Sequence, residues 1–136
     1  MATVDFQPKR DNKYWLEPTR YRLALAFVRQ YPRLCSLRSD ILYGSSTSDH
    51  LGAPKGVKSD PTAVRGMRLA RIDHDITIIE KALDRIPKEY RNAVMDNVLY
   101  RISREHLEAK YHLSESTVQR YRAKLLWEVA NLAGFP

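Results

Sequence analysis

The sequence predicts an all-α protein, a helical body with a C-terminal helix-turn-helix. Three observations predict it. Apolar residues recur at three- and four-residue intervals through most of the chain, the period of helices that bury one face. The periodic runs open on proline or on a capping residue, at Pro18, Asp60-Pro61, Pro87, Ser103 and Ser114, where a helix can start without wasting a backbone donor. Finally, Ser103 to Gly134 reads SREHLEAKYHLSESTVQRYRAKLLWEVANLAG. Its Leu107, Tyr111, Leu113, Val118 and Tyr121 fall where two short helices packed at a wide angle must bury side chains against each other.

Taken in order, residues 1–43 are expected to form an N-terminal arm and helices, 44–59 a flexible linker, and 60–136 a helical domain with the helix-turn-helix at 103–134. Met1 to Lys13 has no apolar period and is read as a mobile, solvated arm, with contact of its basic residues with phosphates as the alternative. A first helix is expected from Pro18 to about Tyr31, with Tyr21, Ala24, Leu25 and Val28 as one stripe and Leu23 and Phe27 beside it, so that it packs on two neighbours or on another subunit. Pro32 breaks it. A short helix with Leu34, Leu37 and Ile41 on one side follows, and Cys35 is a small core-edge residue of that helix.

The linker, GSSTSDHLGAPKGVKS, exchanges periodic apolar residues for glycine, serine and proline. Asp49 and His50 lie in it without a second ligand cluster, so no metal site is expected. From Pro61 to about Arg85 a long helix should carry a narrow seam of Leu69, Ile72, Ile76, Ile79, Leu83 and Ile86, short enough to favour an intramolecular bundle over a coiled-coil dimer. Asp73, His74 and Asp75 point largely away from that seam and read as a solvated face. After Pro87 another helix turns Tyr90, Val94, Val98 and Ile102 inward and braces the motif. The last helix, from Glu115 to about Leu132, continues its apolar side through Leu125, Val129 and Leu132 before Gly134 ends it.

Composition narrows the function. A chain of 136 residues with a net charge of +7 and a sequence pI near 9.7 favours a polyanionic partner. The lone Cys35 forbids an intrachain disulfide and fits a reducing compartment. With no apolar run of membrane-spanning length and no signal-peptide core, a cytoplasmic protein without membrane contact is expected. No phosphate loop, paired-cysteine metal site or nucleophile and base constellation appears, so neither an enzyme nor a cofactor is expected.

Double-stranded DNA is the partner that the helix-turn-helix implies. Ser114 would cap the second helix and place Glu115, Ser116, Gln119 and Arg120 outward. Gln119 and Arg120 are the candidate base readers, since amide and guanidinium groups make paired hydrogen bonds to adenine and guanine. Ser116 and Thr117 add hydroxyl contacts. Arg104, Arg122 and Lys124 are assigned to backbone phosphates, which supply affinity and salt dependence with little sequence information. Glu115 is read as complementing the helix N-terminus.

The span from Asp60 to Gly134 resembles the small phage and prophage transcriptional activators of the RinA and ArpU type, whose C-terminal module is similar to region four of primary sigma factors. The resemblance rests on the Ser-Asp-Pro-Thr start at Ser59 to Thr62, on Ile79, Glu80, Ala82, Leu83 and Pro87, and on Leu113, Ser114, Ser116, Thr117 and Val118. It implies activation of late or packaging genes through promoter DNA and host RNA polymerase. Two positions depart from the pattern. Glu108 stands where such motifs keep a small residue, and would swing to the rim; His112 stands where the turn often has glycine, and would need a left-handed backbone or a wider turn. Two other classes compete: a DNA packaging protein of the small-terminase kind, forming a ring as a homo-oligomer, and a protein that holds a polymerase subunit with little or no DNA contact.

Overall fold

The computed structural model describes residues 7–44 and 61–136. They form six helices: α1 (Pro18–Arg29), α2 (Tyr31–Tyr43), α3 (Pro61–Asp84), α4 (Lys88–Tyr100), α5 (Arg104–Tyr111) and α6 (Glu115–Ala133). No strand occurs among the described residues, and none of their helices is long and apolar enough to cross a membrane. The expected linker, with Asp49 and His50, and the capping role of Asp60 lie outside the described residues, Gly44 excepted. The chain divides into two compact units, Met1–Gln30 with Ile78–Pro136, and Tyr31–Thr77.

The first unit is built on α1, α4 and α6. Pro18 opens α1, and the Glu17 carboxylate accepts the Thr19 amide at 3.2 Å. The expected stripe of Tyr21, Ala24, Leu25 and Val28 is buried, and α1 packs on both α6 and α4. Phe27 meets Phe135 edge-on at 5.6 Å, but Leu23 is 41 % exposed, so the apolar face is narrower than its composition suggested. The helix stops at Arg29, short of the expected Tyr31, and a new helix starts there. Pro32 enforces the break, because it lacks an N–H and its ring collides with the carbonyl four residues back.

Within α3 the seam residues Ile72, Ile76 and Ile79 are buried, while Leu69 and Leu83 are half-buried. The seam is not the whole contact. Ile78 and Ala82, together with Ile86 beyond the helix, join the core that also contains Val94, Val98 and Val129. The helix is therefore buried over a broader arc than one narrow stripe. In α4, Val94 and Val98 are fully buried and Tyr90 packs at the edge, as does Ile102 beyond the end of the helix.

Several basic side chains close this unit. The Arg20 guanidinium donates to the Phe135 carbonyl at 2.9 Å and to Asn131 Oδ1 at 3.1 Å. Arg29 donates to the Val98 carbonyl at 2.9 Å, and Arg91 to that of Ile86 at 2.8 Å. Arg85 meets the buried Glu128 carboxylate at 2.8 Å. These arginines cap carbonyls or pair a buried acid, work that a charged donor does better than a neutral one. Part of the positive charge is thus structural.

The second unit contains α2 and the first part of α3. Arg65 donates to the Ile41 carbonyl at 2.8 Å, and Arg38 lies 3.5 Å from Asp73. Leu34 is buried and Leu37, Ile41 and Cys35 are half-buried. Leu42, Tyr43, Val64 and Met67 stand 50 %, 83 %, 51 % and 75 % exposed.

Candidate nucleic-acid interface

Three short-range devices bound α5 and the turn into α6. Ser103 caps α5, its hydroxyl accepting the His106 amide and lying 2.6 Å from His106 Nδ1. The helix ends at His112 in the left-handed conformation, with φ 58° and its amide donating to the Glu108 carbonyl at 2.8 Å. A residue with a Cβ pays to sit there, so the tight turn is held by the packing around it. Ser114 then caps α6 by accepting the Thr117 amide at 3.3 Å, and its hydroxyl lies 2.6 Å from that of Thr117.

Packing fixes the pair. Leu107 is fully buried and Val118 is 2 % exposed, with Tyr111, Leu113 and Tyr121 against the same core. Tyr121 stacks on Tyr90 of α4, with ring centroids 4.7 Å apart. Glu108 is exposed, as expected of a residue swung to the rim, so it does not obstruct the approach of the two helices. The Asp96 carboxylate ties α4 to the end of α5, accepting from the Tyr111 hydroxyl and from Lys110 Nζ at 3.2 Å. The hydrogen bond to Asp96 raises the pKa of both Lys110 and Tyr111 above their ordinary values. Just before α5, Asn97 is 2 % exposed and donates to the Ile102 carbonyl at 3.0 Å, and Arg101 takes a left-handed backbone with φ 53°.

The predicted contact residues separate into groups. Ser116 and Arg120 are exposed, and Gln119 and Lys124 are half-buried. Arg120 lies over the Tyr121 ring at 5.0 Å. Ser114 and Thr117 are engaged with each other at the cap. Arg104 sits in the first turn of α5, and its side chain lies outside the described residues.

Arg122 must be corrected. Assigned to a backbone phosphate, it is instead 3 % exposed, with its guanidinium 5.8 Å from the Tyr21 ring of α1. Val118, Arg122, Leu125 and Val129 follow one another at intervals of four, three and four, which puts Arg122 on the inward stripe of α6. That spacing was the available signal; the charge of the side chain concealed it. Leu132, expected on the same stripe, is 36 % exposed, whereas Leu126 and Ala130 are buried.

Sequence reasoning also missed the N-terminal segment, read as a mobile arm. From Gln7 onward it folds against α6. The Asn12 amide donates to the Lys9 carbonyl at 2.9 Å, the Trp15 amide to the Asn12 carbonyl at 3.1 Å, and the Leu16 amide to Gln7 Oε1 at 3.2 Å. Leu16 is 2 % exposed, and Tyr14 stands edge-on to Trp127 at 5.6 Å. Pro8 and Asn12 thereby wall a depression of about 210 Å³ with Ser116, Gln119, Arg120 and Ala123 of α6. The outward face of α6 is the floor of a shallow cleft, not a bare cylinder. No three His, Cys, Asp or Glu among the described residues gather as a metal site.

Compared with models of known protein families, with curated proteins and with solved structures, the chain has no match.

Proposed function

We propose that the chain is a sequence-specific DNA-binding transcriptional regulator, an activator of phage late or packaging genes that acts with host RNA polymerase, and that α5 and α6 are its helix-turn-helix. One observation carries the reading. Two capped helices are joined across a left-handed His112 and packed through Leu107 and Val118, with Ser116, Gln119 and Arg120 left on the outward side of the second. A helix held in the core along one side and open at its N-terminal half is suited to entering a major groove. The basic pI supports the same partner. Gln119 and Arg120 read base edges, Ser116 assists, Lys124 meets phosphate, and Arg122 supports the helix from behind. Run-off transcription by the host polymerase from promoters beside its own gene tests the activator role. Added protein is expected to raise full-length transcript; an unchanged or reduced yield contradicts activation.

A packaging protein of the small-terminase kind is the second reading. It is favoured by the exposed Leu42, Tyr43, Val64 and Met67, which are apolar surface of a kind that subunit contacts cover. Light scattering separates the two, since a ring has many times the protomer mass.

A further inference from the structure

We propose that the turn Lys9–Trp15 is the second wall of the DNA-binding surface and grips the phosphate backbone of the duplex that α6 enters. The proposal rests on the DNA-binding reading of α6.

The turn runs along a definite face. Ser116, Arg120, Ala123 and Trp127 recur at intervals of four, three and four, on the side of α6 away from the buried Val118, Arg122, Leu125 and Val129. Pro8 and Asn12 border the first three of these residues, and Tyr14 meets the fourth. A helix lying in a major groove about 12 Å wide has a sugar-phosphate strand on either side. A segment that walls the open, N-terminal half of α6 on one side therefore meets one of those strands.

The chemistry of the turn fits that strand. Lys9, Arg10 and Lys13 are exposed, and Asp11 is the only acid between Lys9 and Trp15. A flap that merely covered α6 would be expected to oppose Arg120 with acids; this one sets three cations against a single acid, a surplus that suits a polyanion. The cations also project from a fixed backbone. The Tyr14 amide donates to Asn12 Oδ1 at 2.9 Å, and Leu16 anchors the end of the segment in the core. Lys13 Nζ lies 5.5 Å from the Tyr14 ring centre and the Arg10 guanidinium 5.5 Å from that of Trp15. Side chains already held over rings lose less freedom when they pair with phosphate.

The test is fluorescence anisotropy on duplex DNA across a salt series, comparing the full chain with two triple variants. One is Lys9→Ala/Arg10→Ala/Lys13→Ala. The other, Arg33→Ala/Arg68→Ala/Arg71→Ala, removes equal charge from exposed positions in the second unit. A glutamine version of the N-terminal triple and its circular dichroism guard against lost folding. The N-terminal triple is expected to lower the slope of log K against log salt by about 2 to 3, near one for each phosphate contact, while any preference for one duplex sequence is kept and the control slope is unchanged. An unchanged slope in the N-terminal triple, or an equal fall in both triples, overturns the proposal. Tighter binding by the N-terminal triple overturns it too and makes the turn a shield. If the unsubstituted chain binds no duplex at all, the DNA-binding reading falls and the proposal with it.

Discussion

Arg120 and Lys124 stand one helical turn apart on α6, yet the proposed interface gives them different work. A guanidinium aimed at a guanine edge discriminates between sequences; an ammonium near a phosphate does not. Arg120→Ala is expected to cost about 1–3 kcal/mol on a preferred duplex and little on a scrambled one. Lys124→Ala should weaken binding to both and reduce the salt slope by about one. Equal losses on every sequence for both variants would remove Arg120 from base reading. Arg122 belongs to the interior. Its side chain is buried and its guanidinium lies over Tyr21, so Arg122→Ala is expected to lower stability by about 2 kcal/mol through lost packing and cation–π attraction. Its salt slope should match that of the unsubstituted chain, and a lowered slope with full stability would return Arg122 to the interface.

At the scale of elements, the α5 and α6 pair depends on an apolar hinge and on a polar tie. Val118→Asp buries a charge in the core that also holds Leu107 and is expected to unfold the pair, seen as lost helicity and a lower melting temperature. Full retention of both would show that Val118 does not face inward. The tie is Asp96 with Lys110 and Tyr111. Both partners have pKa values raised above the ordinary 10.5 and 10.0, first by their hydrogen bonds to Asp96. The fold therefore favours their protonated forms. Their contribution is complete below those ordinary values and is lost as pH climbs through the higher values of the folded state. Melting temperature should fall above pH 10.0, and Asp96→Asn should flatten that fall; parallel curves for the two proteins would dismiss the tie. The limits of these elements were largely legible in the sequence. Ser103, Ser114 and Gly134 cap as their residue types require, and the α1 stripe is buried residue for residue. Arg122 and the broader face of α3 were not. A pattern of apolar residues treats every arginine as solvent-facing and reads only one seam, whereas burial depends on how many neighbours a helix meets.

At the scale of the molecule, charge is divided between structure and surface. Arg20, Arg29, Arg85 and Arg91 serve internal carbonyls or a buried acid, while Ser116, Gln119 and Arg120 share the N-terminal half of α6 with the basic turn at Lys9 to Lys13. The sequence could not place that turn. Its backbone follows no helical or strand period, and its position depends on single contacts of Tyr14 and Leu16 with distant parts of the chain. The exposed apolar residues of the second unit bear on assembly, and light scattering should give the mass of a monomer or small oligomer. A large closed ring would favour packaging over transcription. The most direct measurement is fluorescence anisotropy of the purified protein with duplex DNA from its own gene neighbourhood and with a scrambled duplex, across a salt series. A preference for the native duplex that persists as salt rises is the expected result; equal, salt-sensitive affinity for both, or no binding, would contradict sequence reading by α6.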